Sequence, residues 1–274
     1  MTLSELTRAA LLEDLRNGDI TTEGCVDPER RGEGKILAKQ DLVLSGMRPA
    51  HWTFDHAEAG FKPLAKDGEH IKKGQTVAWV RGNLAHILRA ERVALNFLMR
   101  LSGIATNTHH IVQAAAGSSL RIVDTRKTTP LHRGLEKAAV RHGGGHNHRF
   151  GLYDGVMIKD NHIRAVGSIG EAVGRVRKRC HHLVKIEVEV EDLDQLDEAL
   201  TAGADVILLD NMDDATIKAA CARAAGRAVL EASGNMDAER IGRLKDVIGL
   251  DVISVGGLIH QARWVDLSLE LDDA

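Results

Sequence analysis

The chain has 274 residues, 43% hydrophobic and 27% charged, with a formal net charge of −3. That size allows one large or two ordinary domains of a soluble globular protein. It excludes a membrane span, since no apolar run approaches the roughly 18–20 residues one needs. Aromatic content of only 3% argues against single-stranded nucleic-acid binding, which relies on stacking platforms. Cys25, Cys180 and Cys221 lie far apart with neither CxxC nor zinc-ligand spacing, as suits reduced thiols in a cytoplasm. The first residues, MTLSELTRAALLEDL, lack the basic region and apolar core of a secretory signal. A cytoplasmic protein with no membrane or nucleic-acid partner is expected.

Residues 2–16 predict an amphipathic helix. Thr2 and Glu5 have capping-box spacing, and Leu3, Leu6 and Ala10 keep a helical period. Asn17-Gly18 stops it, and residues 18–22 read as loop or strand entry. Short strands follow at 35–38, 42–44 and 76–80, punctuated by Gly46, Gly68, Gly74 and Gly82. Residues 67–82 resemble a hairpin of the biotinyl and lipoyl type, without a lone lysine at an exposed tight turn, so a scaffold role is expected. Residues 84–116 read as two helices interrupted at Gly103, with Arg92 a snorkelling or salt-bridged side chain.

Past residue 120 the pattern repeats. Apolar β-rich segments recur at 121–125, 155–159, 184–190, 205–209, 227–231 and 251–255, several with amphipathic helices between them. Such alternation means βαβ units and a parallel sheet, and this spacing fits a barrel-like sheet better than a Rossmann domain. The polar residues gather at the strands' C-terminal ends, the rim where barrel enzymes build their sites.

Residues 121–149 carry Arg121, Arg126, Lys127, Arg133, Lys137, Arg141 and Arg149 against Asp124 and Glu136, an excess of five positive charges in an acidic chain. A solvated basic face is the ordinary fate of such a run. Here it borders an apolar strand and Gly143–Gly145, where backbone can approach a ligand, so a polyanion is expected. Ser233-Gly234-Asn235 and Gly256-Gly257 would bare backbone N–H groups to a phosphate, or form plain tight turns. Glu187, Glu189 and Glu191 alternate with valines and share one strand face. Glu189 and Asp210 could bind ribose hydroxyls or Mg2+ through oxygen. A phosphorylated sugar with a carboxylate substrate would satisfy both charge sets. Esterase and P-loop chemistries are excluded: His142-Gly-Gly-Gly145 has no GxSxG beside it, and GxxxxGK[ST] is absent.

The motifs Asp124-Thr-Arg-Lys-Thr-Thr-Pro130, Leu135-Glu-Lys-Ala-Ala-Val-Arg141, Asn147-His-Arg149, Ile158-Lys-Asp-Asn-His-Ile163, Glu187-Val-Glu-Val-Glu191, Leu209-Asp-Asn211 and Glu231-Ala-Ser-Gly234 closely resemble the quinolinate phosphoribosyltransferase family, and the likeness runs through nearly the whole chain. It implies an α/β protein: an N-terminal mixed α/β sandwich domain over 1–104, with 265–274 packing back on it, and an incomplete TIM-like α/β barrel over 105–264. It implies transfer of phosphoribosyl from phosphoribosyl pyrophosphate to quinolinate with decarboxylation, giving nicotinate mononucleotide, pyrophosphate and CO2, with Mg2+. It implies a homodimer or larger homo-oligomer in which Arg92 reaches the partner's site. By motif, Arg92, Arg126, His148, Arg149 and Lys159 would hold quinolinate. Lys127 and Lys159 would also face the phosphoribosyl pyrophosphate. Glu189 and Asp210 would bind ribose and metal, and with the two lysines make up the catalytic set. Ser233, Gly234, Asn235, Gly256 and Gly257 would hold the 5-phosphate.

Two departures stand out. Many members read Pro-Gly-Leu-Arg where this chain has Pro130-Leu131-His132-Arg133, and Ser-Gly-Gly where it has Ser-Gly-Asn. The second is mild because asparagine tolerates left-handed backbone. The alternatives are a relative acting on nicotinate, which would need fewer cations, and a non-catalytic module built on residues 67–82.

Overall fold

The computed structural model describes residues 1–272 and divides into two compact units. The first comprises Met1–His109, Ala138–Gly144 and the chain from Ala262 onward. Its opening helix, α1 (Leu3–Leu15), has the full capping box: Thr2 accepts from the Glu5 N–H and Glu5 from the Thr2 N–H. Residues 18–22, expected as loop or strand entry, instead start a second helix, α2 (Ile20–Cys25). Asp19 Oδ1 accepts the Thr22 N–H at 3.0 Å, and Glu23 Oε1 accepts the Asp19 N–H at 3.1 Å. Two satisfied helix-end donors outweigh the strand preference of Ile20-Thr21-Thr22.

Next come β1 (Arg31–Ala38), β2 (Leu42–Val43), α3 (Met47–His56), β3 (Gly60–Pro63), β4 (His70–Ile71) and β5 (Thr76–Asn83). The hairpin expected over 67–82 is absent. β4 pairs with β2, while β5 lies between β1 and β3. An eight-residue strand needs long partners for its backbone groups, and two-residue β4 cannot supply them. β1 can, in register from Arg31↔Asn83 to Leu37↔Thr76. Phe54, Ile36, Leu44, Ile71, Ile87 and Leu98 fill the core of this unit; each stabilises by about 1.5–3 kcal/mol relative to exposure.

Helix α4 (Leu84–Gln113) runs unbroken where two helices were expected. Gly103 is a packing residue. A Cβ there would lie 2.1 Å from the carbonyl oxygen of Arg263. Arg92 stands exposed on this helix.

The second unit comprises His110–Lys137 and Gly145–Gln261. In order it holds β6 (Arg121–Val123), α5 (Arg133–His142, continuing into the first unit), β7 (Val156–Ile158), α6 (Asp160–Val166), α7 (Ile169–Arg179), β8 (Ile186–Val190), α8 (Leu193–Thr201), β9 (Val206–Asp210), α9 (Asp214–Ala224), β10 (Val229–Ser233), α10 (Ala238–Leu244), β11 (Val252–Ser254) and α11 (Gly257–His260). The strands form one parallel sheet in the order β6-β11-β10-β9-β8-β7, open between β6 and β7. The alternation predicts this parallel, barrel-like sheet, and the family resemblance implies that the barrel is incomplete. Asp192, Asp213 and Asp237 cap the helices that follow strand ends, and Ser168 caps α7. Last, β12 (Leu267–Leu271) pairs with β1, completing the four-stranded antiparallel order β12-β1-β5-β3 in the first unit. Residues 273 and 274 of the expected returning segment lie outside the described residues.

Backbone geometry explains one departure in the loop before α5. Leu131 has φ +66° and is 75% exposed. A leucine therefore sits in the left-handed region that favours glycine, at about 1–2 kcal/mol of strain.

Gly103→Ala should lower the melting temperature by a few degrees, because overpacking against a carbonyl costs more than the helix propensity gained. Gly170→Ala and Gly174→Ala in α7, where a Cβ meets nothing within 4 Å, should instead stabilise by about 0.5–1 kcal/mol each. Leu131→Gly should melt at or slightly above the parent temperature, since relief of strain offsets glycine's entropy, and Leu131→Val should cost roughly 1 kcal/mol or more. Denaturation of the purified variants checks all of these.

Candidate active site

Sheet register aligns the chemistry of the late strands. Asp210, Ser233 and Ser254 pair across β9, β10 and β11. Together with Lys127, Gly234, Asn235, Gly256 and Gly257 they line a cavity of about 490 Å3. The turns that form it are interlocked. Asn211, Gly234 and Asn235 have φ of +54°, +98° and +49°. The Asn211 N–H donates to the Ser233 carbonyl at 3.0 Å. A Cβ on Gly234 would lie 2.2 Å from Asn211 Oδ1, so only glycine fits there. Asn235 takes a left-handed angle, which asparagine tolerates. The Lys127 side chain lies over Gly256, its Cδ 3.1 Å from where a Cβ would stand. Thr125, His260 and Gln261 also line the cavity. Sequence reasoning missed these three; their only signal was their place just beyond β6 and in and after α11.

The glutamates of β8 grade from buried to exposed. Glu187 is buried, Glu189 half-buried and Glu191 exposed. Such a carboxylate face needs opposing charge, and the second unit supplies it at each buried step. His148 Nε2 lies 3.2 Å from Glu187 Oε2, and Lys159 Nζ bonds directly to Glu189. His162 Nδ1 accepts the backbone N–H of Lys159 at 2.9 Å, fixing the start of α6. Glu231 of β10, on the same face, is marked in the sequence by its strand end and its motif but is given no role there. Burial, and then the Glu187 charge, push its pKa up to about 7.

His148, Glu187 and Glu231 bring three potential ligand atoms within 4.8 Å of one another, a grouping that invites a metal. The histidine argues otherwise. Its Nδ1 accepts the Arg149 N–H at 2.7 Å, which leaves the proton on Nε2, facing the carboxylates. A metal-bound imidazole has the reverse arrangement, a bare nitrogen on the metal and N–H on the other side. Burial opposes a charge on His148 but the two glutamates outweigh it, raising its pKa above that of an ordinary histidine. This cluster holds protons. His146 is not part of it. Glu189 and Asp210 lie on the same face of adjacent strands, and their oxygen donors suit a hard divalent cation.

The loop that carries His148 and Arg149 is set by a fully buried pair. Lys137 of α5 and Asp124, just past β6, are both 0% exposed and bonded to each other. Asp124 also accepts from Asn147 Nδ2 at 2.6 Å and from the His148 N–H at 2.9 Å, while Lys137 donates to the His148 carbonyl at 2.9 Å. Burial pushes the Asp124 pKa up and the Lys137 pKa down, and their mutual bond opposes both shifts. Removing one partner from such a pair costs about 3–5 kcal/mol.

Arg149 Nη1 donates to the Gly155 carbonyl at 2.9 Å. Burial and the nearby charge of Arg126 lower the Arg149 pKa. Two guanidinium groups are thus held near each other beside an open rim, where an anion would relieve their repulsion. Arg133 ties the preceding loop down through Thr128 Oγ1 and the Phe150 carbonyl. The second unit therefore holds Arg126, Lys127, His148, Arg149, Lys159, Glu189, Asp210 and the turns at residues 233–235 and 256–257. Arg92 belongs to the first unit.

Comparison with known proteins gives a consistent result. Residues 19–102 match the model of the quinolinate phosphoribosyl transferase N-terminal domain, and residues 104–270 match that of its C-terminal domain. A Bacillus subtilis protein named probable nicotinate-nucleotide pyrophosphorylase [carboxylating] is 42% identical over 271 residues, covering 98% of this chain and 93% of the relative. The Arabidopsis thaliana chloroplastic nicotinate-nucleotide pyrophosphorylase [carboxylating] is 38% identical over 98% of this chain and 83% of its own. The crystal structure of NadC from Streptococcus pyogenes superposes with a TM-score of 0.93 at 40% identity, covering 99% of this chain and 98% of that one. With both domains matched and relatives near 40% identity along its length, the chain belongs to the quinolinate phosphoribosyltransferase family.

Proposed function

We infer that this protein transfers phosphoribosyl from phosphoribosyl pyrophosphate to quinolinate with loss of CO2, forming nicotinate mononucleotide and pyrophosphate, a step of de novo NAD biosynthesis. One observation carries the residue-level reading: the cationic pair Arg126 and Arg149 and a cavity lined by Asp210, Ser233, Gly234, Gly256 and Gly257 belong to one unit, whose sheet carries Glu189 beside Asp210. A dicarboxylate would match the cations and a sugar phosphate the cavity.

In this reading Arg126, His148, Arg149 and Lys159 orient quinolinate, and Arg92 of a second copy completes its carboxylate contacts. His148 exchanges its bond to Glu187 for one to substrate. The N–H groups around Gly234, Asn235 and Gly257 hold the 5-phosphate, and Lys127 faces the pyrophosphate. As pyrophosphate leaves, positive charge develops on the ribose, which Glu189 and Asp210 stabilise, while the lysines stabilise the departing anion. Loss of CO2 then leaves an electron pair at C2 beside the cationic ring nitrogen, and this pair takes up a proton from water to give the C2–H of the product. No side-chain nucleophile is required; placement and fixed charge do the work. Glu189 and Asp210 are the residues that would hold Mg2+, which would add positive charge against the pyrophosphate. The working assembly is a homodimer or larger, in a cytoplasm. Among the described residues, no helix is long and apolar enough to cross a membrane.

Purified protein given quinolinate, phosphoribosyl pyrophosphate and Mg2+ should release CO2 and form nicotinate mononucleotide. Chelation of the metal should stop the reaction and Mg2+ should restore it. Turnover with nicotinate and none with quinolinate would overturn the reading. Arg92→Ala should weaken quinolinate binding by tenfold or more, a loss of at least about 1.4 kcal/mol. Mixed with the inactive Lys159→Ala variant, it should regain activity through heterodimers. Heterodimers that form but show no recovery would exclude a shared site.

A further inference from the structure

Arg240 takes no part in the chemistry above, yet its bonds run into the turns after β9 and β10, both of which contribute to the phosphate cavity. It is the third residue of α10, its own N–H donating to the capping Asp237 Oδ1 at 2.8 Å. Its side chain is only 14% exposed. Nη1 donates to the Gly234 carbonyl at 2.8 Å, Nη2 to the Met212 carbonyl at 2.5 Å, and Nε to Asp214 Oδ1 at 2.9 Å. Gly234 belongs to the turn after β10 and Met212 to the turn after β9. A single planar guanidinium therefore spans the two turns that Asn211 and Gly234 interlock from the other side.

The consequence follows from peptide planarity. In a trans peptide the C=O and the next N–H point in opposite directions. Holding the Gly234 carbonyl toward Arg240 turns the Asn235 N–H away from Arg240. Gly234 and Asn235 line the cavity and Arg240 does not. The charge of Arg240 is already matched by Asp214, which also pairs with Arg243 at 3.0 Å. What Arg240 supplies is therefore orientation more than attraction. A lysine could not replace it fully, because one ammonium lacks the fork that reaches two carbonyls and a carboxylate together.

We propose that Arg240 is a positioning residue for phosphate, locking the peptide between Gly234 and Asn235 with its N–H turned into the cavity. The proposal rests on the reading of this cavity as the 5-phosphate subsite.

The test compares the parent enzyme with Arg240→Met and Arg240→Lys. Initial rates are measured with each substrate varied in turn, and melting temperatures with and without inorganic phosphate. In Arg240→Met, KM for phosphoribosyl pyrophosphate should rise about tenfold or more while KM for quinolinate stays within about twofold, the loss expected when buried acceptors lose their donor. The phosphate-induced melting shift should shrink in parallel. Arg240→Lys should fold and recover part of both effects, and it carries the test if Arg240→Met does not fold. Variants that melt lower but keep both KM values and the full phosphate shift would show a merely structural clamp and overturn the proposal. Equal losses for both substrates would overturn it too. A parent enzyme with neither turnover nor a phosphate shift would remove the subsite reading itself, and this proposal with it.

Discussion

The buried contact between Asp124 and Lys137 is the constraint on which the cationic half of the site depends. Neither side chain touches water, and each charge is tolerable only because the other is there. The geometry recruits the neighbouring loop: Asp124 takes the N–H of His148 and the amide of Asn147, and Lys137 takes the His148 carbonyl. Both backbone groups of His148 are therefore committed. Its ring can then meet Glu187, and Arg149, one residue on, is aimed at the Gly155 carbonyl beside Arg126. A cationic rim that would otherwise repel itself apart is pinned from beneath by a pair whose own charges cancel.

The anionic half obeys the same rule. Strand β8 places carboxylates on every second residue, and the cost of each falls as the strand rises toward solvent. Glu187 and Glu231 are deepest, with His148 Nε2 3.2 Å from Glu187 and 3.7 Å from Glu231. Glu189 is matched by Lys159, and Glu191 has water. Near neutral pH Glu231 stays partly protonated, because its burial, and then the nearby charge of Glu187, disfavour a negative charge there. Compensation is thus nearly complete below the rim. The exposed Arg126 and Lys127 are left above it, as a proposed site for a highly charged substrate requires.

Much of this was legible in the chain. Six β-rich segments with helices between them predict the parallel sheet, because a strand buried on both faces must be apolar throughout and a crossover helix must be amphipathic. The residues at the strand ends could be named because polarity resumes where a strand leaves the core. Other features were not legible. Gly103 looked like a helix break, since the carbonyl of Arg263 that demands a glycine is 160 residues away in sequence. Residues 67–82 looked like a hairpin because local alternation does not say which strand will pair. The short helix after Asp19 was hidden because two side-chain caps decide it against the local strand propensity.

Local pattern by itself determined the element types, the chain's place in its family, and the residues gathered on the barrel rim, because periodicity and motif spacing are properties of neighbouring residues. Tertiary structure alone decided how those residues are used. It made the charged pair at Asp124 and Lys137 a buried support, brought the His148 ring to Glu187 of β8, and drew Arg240 across to two turns on different strands. Each is a matter of which partner a polar group finds once water is excluded. That partner comes from a distant part of the chain that only the fold brings near.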